Sequence, residues 1–250
     1  MAGLSGRRVV GVVFAGGEGR RLMPLTYYMQ KCMIPVGSLQ KPLLEYILHL
    51  LKRHGIVETR LLVGYKREQI VNYFGDGGRF GIGIEYFVDN PELGGSGGAL
   101  LNAARVGAFE GADVLLVYYG DILSDIDLSA MVRQHVENGS VATLAVAKGF
   151  QVPVGVADVD GIRVRGWVEK PLIDLNAGIG IVALNSEALG KLEALVDGRK
   201  EVDLMGDLVP FLIEGGKRVD AYFTDAFWYD VGSTEKYEKI DNGQVDRLLV

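Results

Sequence analysis

The feature that most restricts this chain is an alternation of short apolar runs with stretches of helical spacing, begun by Val9 to Phe14 and the glycines behind it. A short apolar run bounded by turn residues reads as a strand buried on both faces. Pro42 to Arg53 then sets Leu43, Leu44, Ile47, Leu48 and Leu51 on one helical face, with Gly55 closing the helix. Arg60 to Val63 reads as a second strand, and Gly83 to Val88, Val114 to Tyr118 and Val141 to Ala147 as further ones. Helices are predicted over Ala99 to Val106 and Leu128 to Asn138. This βαβαβ order predicts an α/β domain with a mostly parallel sheet, because parallel neighbours need a crossover between them. Beyond Gly149 the runs shorten and alternate, at Val154 to Val159, Ile162 to Val168 and Gly178 to Leu184, which predicts a small antiparallel lobe. No repeat or linker separates the parts, so one domain is expected over 1–250, its main part about 1–148 and the lobe about 149–240.

Composition narrows the class. A chain of 250 residues that is 48% apolar can bury one substantial core. Its formal net charge of −6 offers no broad basic surface for nucleic acid, so a small-molecule partner is expected. Cys32 is the only cysteine, which excludes an intramolecular disulfide. Nothing reads as a signal peptide or a membrane span, so a cytoplasmic protein without membrane contact is expected. Self-association is left open.

The strongest chemical signal is Phe14 to Thr26, FAGGEGRRLMPLT, directly after the first strand. Gly16, Gly17 and Gly19 leave backbone amides uncovered beside Arg20 and Arg21, a natural cradle for polyphosphate. The loop lacks the Gly-Lys-Ser/Thr of a Walker A motif and does not fit GxGxxG, so neither a P-loop ATPase nor a dinucleotide dehydrogenase is supported. His49, His54 and His135 sit on predicted helices or their ends without metal-ligand spacing, which argues against catalytic histidines.

Together with the blocks that follow, GGEGRRLMPLT, QKCMIPV and KPLLEY, the chain resembles the sugar-phosphate nucleotidylyltransferases, which include glucose-1-phosphate thymidylyl- and uridylyltransferases and mannose-1-phosphate guanylyltransferases. The resemblance continues through Gly94 to Leu100, Tyr119-Gly120-Asp121, Trp167 to Pro171, Asn176 to Ile179 and Trp228 to Ser233. It implies a three-layer α/β/α Rossmann-like nucleotide-diphospho-sugar transferase fold. The implied reaction joins a nucleoside triphosphate to a sugar 1-phosphate, with Mg²⁺ as cofactor and pyrophosphate as by-product. The chain ends about where the family's catalytic domain should, so the C-terminal β-helix of longer relatives is expected to be absent.

In that reaction a sugar-phosphate oxygen attacks the α-phosphorus and expels pyrophosphate in line. A phosphate monoester has its second pKa near 6, so the nucleophile is already mostly an anion and needs no general base. Positioning and charge neutralisation remain. Arg21 suits the departing pyrophosphate, Lys31 the reacting phosphoryl group and Lys170 the sugar phosphate. The resemblance marks Asp121 and Asp230 as metal ligands, and Mg²⁺ commonly takes one or two carboxylates. It implies that Ala15, Gly16, Gly17 and Gly19 bind nucleotide and that the segment with Gly95 and Gly98 lies against the base, ahead of a helix from Ala99. On the sugar side it implies a backbone contact from Gly155, a hydroxyl contact from Glu169 and a sugar contact from Asn176.

The chain departs from the family in places. Arg20 stands where threonine is common, Gln30 where proline is common, and the link from Pro171 to Asn176 is short. Related thymidylyltransferases read their base with a glutamine before the Gly-rich segment, whereas this chain offers Asp89, Asn90 and Glu92. An acceptor-only carboxylate suits the donor edge of guanine better than a uracil or thymine imide. Rival readings are a non-catalytic regulatory subunit of the same fold, a cytidylyltransferase acting on phosphocholine, and a glycosyltransferase using Asp125-Ile126-Asp127. The N-terminal loop argues against the last, which has no leaving pyrophosphate to hold.

Overall fold

A computed structural model describes residues 6–152 and 154–249; residues 1–5, Pro153 and Val250 of the expected domain lie outside the described residues. The chain begins with β1 (Val9–Ala15), three single 3-10 turns, the short bridge of β2 (Pro35–Val36) with β3 (Lys41–Pro42), and α1 (Leu43–Arg53). Next come β4 (Glu58–Val63), α2 (Arg67–Phe74), β5 (Gly83–Val88), α3 (Gly95–Arg105), β6 (Val114–Tyr119), β7 (Ile122–Ser124) and α4 (Leu128–Asn138). The remainder is β8 (Ala142–Gln151), β9 (Val156–Asp160), β10 (Arg163–Val168), β11 (Leu172–Leu184) and α5 (Ser186–Leu195). A π-helical turn precedes α6 (Val209–Glu214), and β12 (Val219–Thr224), β13 (Trp228–Asp230), α7 (Thr234–Glu238) and α8 (Asn242–Asp246) close the chain.

Side chains of β1 divide between two cores. Val9, Val13 and Ala15 pack on one face with Leu44, Ile47 and Leu51 of α1 and Met131 of α4. Val10 and Val12 pack on the other with Leu100 and Leu101 of α3 and Leu192 of α5. A strand that buries both faces must lie inside a sheet covered on both sides, which gives the three layers. The seven-stranded sheet runs β12-β8-β11-β6-β1-β4-β5. β1 pairs in parallel with β4 and β6, β4 with β5, and β12 with β8. Only β11 opposes its neighbours, running antiparallel to β6 and β8. Strands from both expected parts therefore share one sheet, and the small antiparallel lobe is the β9–β10 ribbon with the outer ends of β8 and β11. Among the described residues no helix is long and apolar enough to cross a membrane.

Two local differences from the sequence reading have clear causes. The helix expected from Ala99 starts at Gly95, so the glycine segment forms its first turn. A Cβ on Gly95 would lie 2.3 Å from the Val202 carbonyl oxygen and one on Gly98 would lie 2.7 Å from that of Leu93, so this turn needs glycine at both positions. β12 at the sheet edge, α2 and α5 lacked a clear apolar period; the half-exposed side chains of β12 explain this for the strand.

Leu51, fully buried, packs where β1 passes α1 at Gly11. Leu51→Ala is expected to lower unfolding free energy by about 2–5 kcal/mol. Urea denaturation monitored by circular dichroism, with an unchanged m-value, checks this.

Candidate active site

The loop after β1 leaves the sheet through Gly16 and Gly17 and turns at Gly19, whose φ of +64° favours glycine. The Gly19 carbonyl accepts from Leu22 N (2.9 Å) and Thr26 Oγ1 (3.0 Å), which folds the loop back on itself. Gln30 fixes the next segment. Almost fully buried, it donates from Nε2 to the Ala15 carbonyl (2.7 Å), and its Oε1 accepts from Cys32 N. Lys31, between these anchors, is thereby held beside the loop, so the residue at the unusual position positions the lysine. Ala15 itself packs into the core and contributes its carbonyl to this brace.

Asp121 follows β6, and Asp230 ends β13, far along the chain. The antiparallel pairing of β13 with β7 brings them together: Asp230 lies opposite Ile122, and Val231 N donates to the Asp121 carbonyl (2.8 Å). Both aspartates line a cavity of about 390 Å³ with Arg21, Tyr119, Ile122, Trp228, Lys236 and the stretch Ala177 to Gly180 of β11. Each carboxylate already carries a lysine, Asp121 that of Lys31 and Asp230 that of Lys236. Among the described residues no group of three or more His, Cys, Asp or Glu could hold a metal alone. A pair of oxygen ligands beside an open cavity suits a hard cation whose other sites go to phosphate and water.

A second cavity, of about 280 Å³, also borders the loop and is lined by Phe14, Gly16, Gly17, Leu62, Asp89, Gly95, Ser96 and Ala99. Among the described residues Asp89 is the only titratable group in its lining. Its carboxylate lies so close that a Cβ on Gly16 would sit 1.8 Å from Oδ2, and one on Gly64 would sit 2.8 Å from it. Burial pushes the Asp89 carboxyl up to about 6. A mainly apolar slot with the Asp89 carboxylate and the Ser96 hydroxyl among its lining groups is suited to an aromatic base.

Not every residue named from the sequence reaches these cavities. Gly98 is buried behind the second one, where its amide and that of Gly97 donate to the Val202 carbonyl (3.1 and 2.8 Å). Glu92 is exposed on the preceding turn, where its amide donates to Asn90 Oδ1 (3.0 Å). Gly155 and Glu169 meet on the β9–β10 ribbon, where Trp167 Nε1 donates to Glu169 Oε2 (3.3 Å) and the Trp167 ring fills the space a Gly155 side chain would need. Asn176 is exposed on β11, just before the cavity-lining stretch. Lys170, with a φ of +47°, lies near enough to Glu235 to act on it electrostatically.

The remaining candidates are structural. Asp127 caps α4 by accepting from Ala130 N (2.8 Å), and Ile126 beside it is buried. His135 is buried against Thr143 Oγ1 (2.9 Å), and burial holds its imidazole down at about 4. Burial likewise pushes the Cys32 thiol up to about 12, which leaves it an inert packed group. Residues that sequence reasoning passed over are Lys236, Tyr119 and Ser96. The Tyr119 hydroxyl donates to Ser96 Oγ (3.1 Å), which donates to Asp203 Oδ2 (2.7 Å), so one hydrogen-bonded chain joins the walls of the two cavities. Tyr119 stood inside a matched block; Lys236 carried no signal apart from lying shortly after one.

Comparison with known proteins identifies the family. The chain is 32% identical over 254 residues to a UTP–glucose-1-phosphate uridylyltransferase of Synechocystis, covering 95% of this chain and 64% of the relative. It is 31% identical over 237 residues to a mannose-1-phosphate guanylyltransferase of Mycobacterium tuberculosis, covering 92% of this chain and 63% of that protein. The chain thus spans less than two thirds of the length of these curated relatives. Its fold matches a Bacillus anthracis crystal structure, described as a glucose-1-phosphate thymidylyltransferase in complex with sucrose, with a TM-score of 0.76, 23% identity and coverage of 92% and 93% of the two chains. The nucleotidyl transferase family pattern matches residues 10–246, and the chain belongs to that family.

Proposed function

We propose that this chain transfers a nucleoside monophosphate from a nucleoside triphosphate to a sugar 1-phosphate, with Mg²⁺ as cofactor. The observation that carries the reading is the β7–β13 pairing, which sets Asp121 and Asp230 in one cavity with Arg21, beside the glycine loop. A sugar-phosphate oxygen bonds to the α-phosphorus as the bond to the β-phosphate oxygen breaks, and pyrophosphate leaves with the electron pair. Asp121 and Asp230 would hold the cation, which when bound supplies neutralising charge to phosphate oxygens. Arg21 takes the leaving pyrophosphate, and Lys31, braced by Gln30, faces the charge that develops at the α-phosphate. The monoester nucleophile is already an anion, which agrees with a site without histidine. The Gly155, Glu169, Lys170 and Asn176 side would receive the sugar.

The cavity with Asp89 would hold the base, and we assign guanine. Ionised Asp89 only accepts hydrogen bonds, and guanine presents two adjacent donors, N1–H and the N2 amino group. The deciding experiment is pyrophosphate release by the purified protein with Mg²⁺, across the common nucleoside triphosphates against glucose, mannose and N-acetylglucosamine 1-phosphates and phosphocholine. Release that requires GTP and one sugar phosphate is the expected result. Nucleotide binding without release would favour the regulatory-subunit reading, and release with CTP and phosphocholine would favour the other alternative.

Asp121→Asn and Asp230→Asn are each expected to lower kcat by about 100-fold or more with an unchanged circular dichroism spectrum. Lys31→Ala should lower kcat by about 100-fold while nucleotide affinity changes much less, because its charge matters most as the α-phosphate rearranges. Single-turnover kinetics separate the two; a loss confined to nucleotide KM would overturn the role.

The Asp89 carboxyl, raised by burial to about 6, binds protons in the folded state at pH values where an unfolded aspartate is ionised. Guanine nucleotide affinity should thus be full above about pH 7 and fall as the pH drops through 6. Phosphate titration overlaps this range, so the measure is the difference between wild-type and Asp89→Asn profiles in calorimetric titrations. Identical profiles would remove Asp89 from base recognition.

A further inference from the structure

Lys236 enters the 390 Å³ cavity from α7, and its backbone is unusually well fixed for a surface lysine. Its amide donates to the Ser233 hydroxyl (3.3 Å), and its carbonyl accepts from the Tyr229 hydroxyl (2.6 Å). Thr234 Oγ1 lies 3.4 Å from the Arg21 carbonyl and 3.3 Å from that of Met23, which ties α7 to the loop carrying Arg21. Only the stem of Lys236 is free to move, and its side chain is 48% exposed.

An exposed pair such as Lys236–Asp230 adds only about 0–1 kcal/mol to stability, so holding the fold together is a poor account of it. The other aspartate of the cavity is paired in the same way, with Lys31 on Asp121. The carboxylates that suit a divalent cation are thus each covered by an ammonium group, and a cation taking them leaves both groups to find new partners. Within the cavity, the groups that could replace Asp230 for Lys236 are anions brought by a substrate. Its position selects which one. Lys236 lines this cavity together with Trp228 and Ala177 to Gly180 of β11, whereas Gly16, Gly17 and Gly95 line the other cavity. Lys170 approaches the same helix, lowering the Glu235 carboxyl slightly after the larger effect of Lys239.

We propose that Lys236 binds the phosphate monoester of the sugar 1-phosphate, covering Asp230 while the cation site is empty and passing to the substrate phosphate once a divalent cation takes that carboxylate. The step exchanges ionic partners and makes or breaks no covalent bond. It rests on the reaction proposed above.

The exchange gives one substitution two opposite effects. Without substrate, Lys236→Met should bind Mn²⁺ about 3- to 10-fold more tightly than wild type in electron paramagnetic resonance titrations, because the competing ammonium is gone. In calorimetric titrations with Mn²⁺ present, the same variant should bind glucose 1-phosphate or mannose 1-phosphate, whichever wild type prefers, about 10-fold more weakly, with Lys236→Arg recovering much of the loss. Lys239→Met removes the same charge from a lysine paired with Glu235 and should change neither. Unchanged or weaker Mn²⁺ binding by Lys236→Met, or unchanged sugar-phosphate affinity, overturns the proposal. Sugar-phosphate binding that depends on Lys236 in a protein that releases no pyrophosphate would sink the reaction and leave the role of Lys236 standing.

Discussion

Backbone crowding at the carboxyl ends of three neighbouring strands is the constraint on which the site depends. β1, β4 and β6 are each followed by a glycine, where a Cβ would meet the Asp89 carboxylate at Gly16, that carboxylate and the Gly16 carbonyl at Gly64, and the Phe14 carbonyl at Gly120. The Gly16 carbonyl accepts from Tyr65 N (3.0 Å), and the Phe14 carbonyl accepts from Gly120 N (3.1 Å), so the three strand ends are stitched together just past the sheet. A Cβ on Gly120 would come within 2.3 Å of the Phe14 carbonyl oxygen and 2.6 Å of Cys32 Sγ. Chains leaving the sheet this close can diverge in only a few directions. One sends the glycine loop over the edge, and another sends Asp121 into the cavity. In open α/β sheets the crevice outside the carboxyl ends of the strands is where ligands bind, and here backbone contact gives that crevice its shape.

Much of this was legible beforehand, because the elements that build the crevice are the ones with strong local signals. Val9 to Phe14 could only be a doubly buried strand, and α4 matched its predicted span because Asp127 caps one end and Gly139 closes the other. What escaped was decided by distant contacts. The first turn of α3 read as a loop because glycine has no helical preference; the contact with Val202 makes it a turn of helix. Gln30 stood out as a departure, yet its purpose needed the positions of Ala15 and Cys32. Lys236 was invisible because a lysine on a short polar helix looks like any solvated lysine until β13 is paired with β7.

One ion pair at the cavity differs from those elsewhere on the surface. Pairs such as Arg105–Glu193 join exposed side chains between helices and are of the kind that contributes little. The Lys31–Asp121 pair is mostly buried, with side-chain exposures of 16% and 19%. Removing one partner of a shielded pair leaves the other uncompensated, so its members are costly to separate unless another charge arrives. A site with such a pair is held together at rest and is receptive to a ligand that brings both signs.

The clamp of Val202 on α3 also bears on how this protein could be divided. Every described residue that lines the cavity with Asp89 falls at or before Ala99, and by that measure the first hundred or so residues look like a self-sufficient unit. Yet the amides of Gly94, Gly97 and Gly98 are all taken by carbonyls of Lys200 and Val202, and Ser96 is held by Asp203. A fragment that ended before this segment would keep every cavity-lining residue and lose the contacts that shape the cavity's far wall. The two stretches are therefore bound into one inheritance: a recombination event that exchanged the segment around Lys200 to Asp203 would also bring in a new support for the earlier pocket.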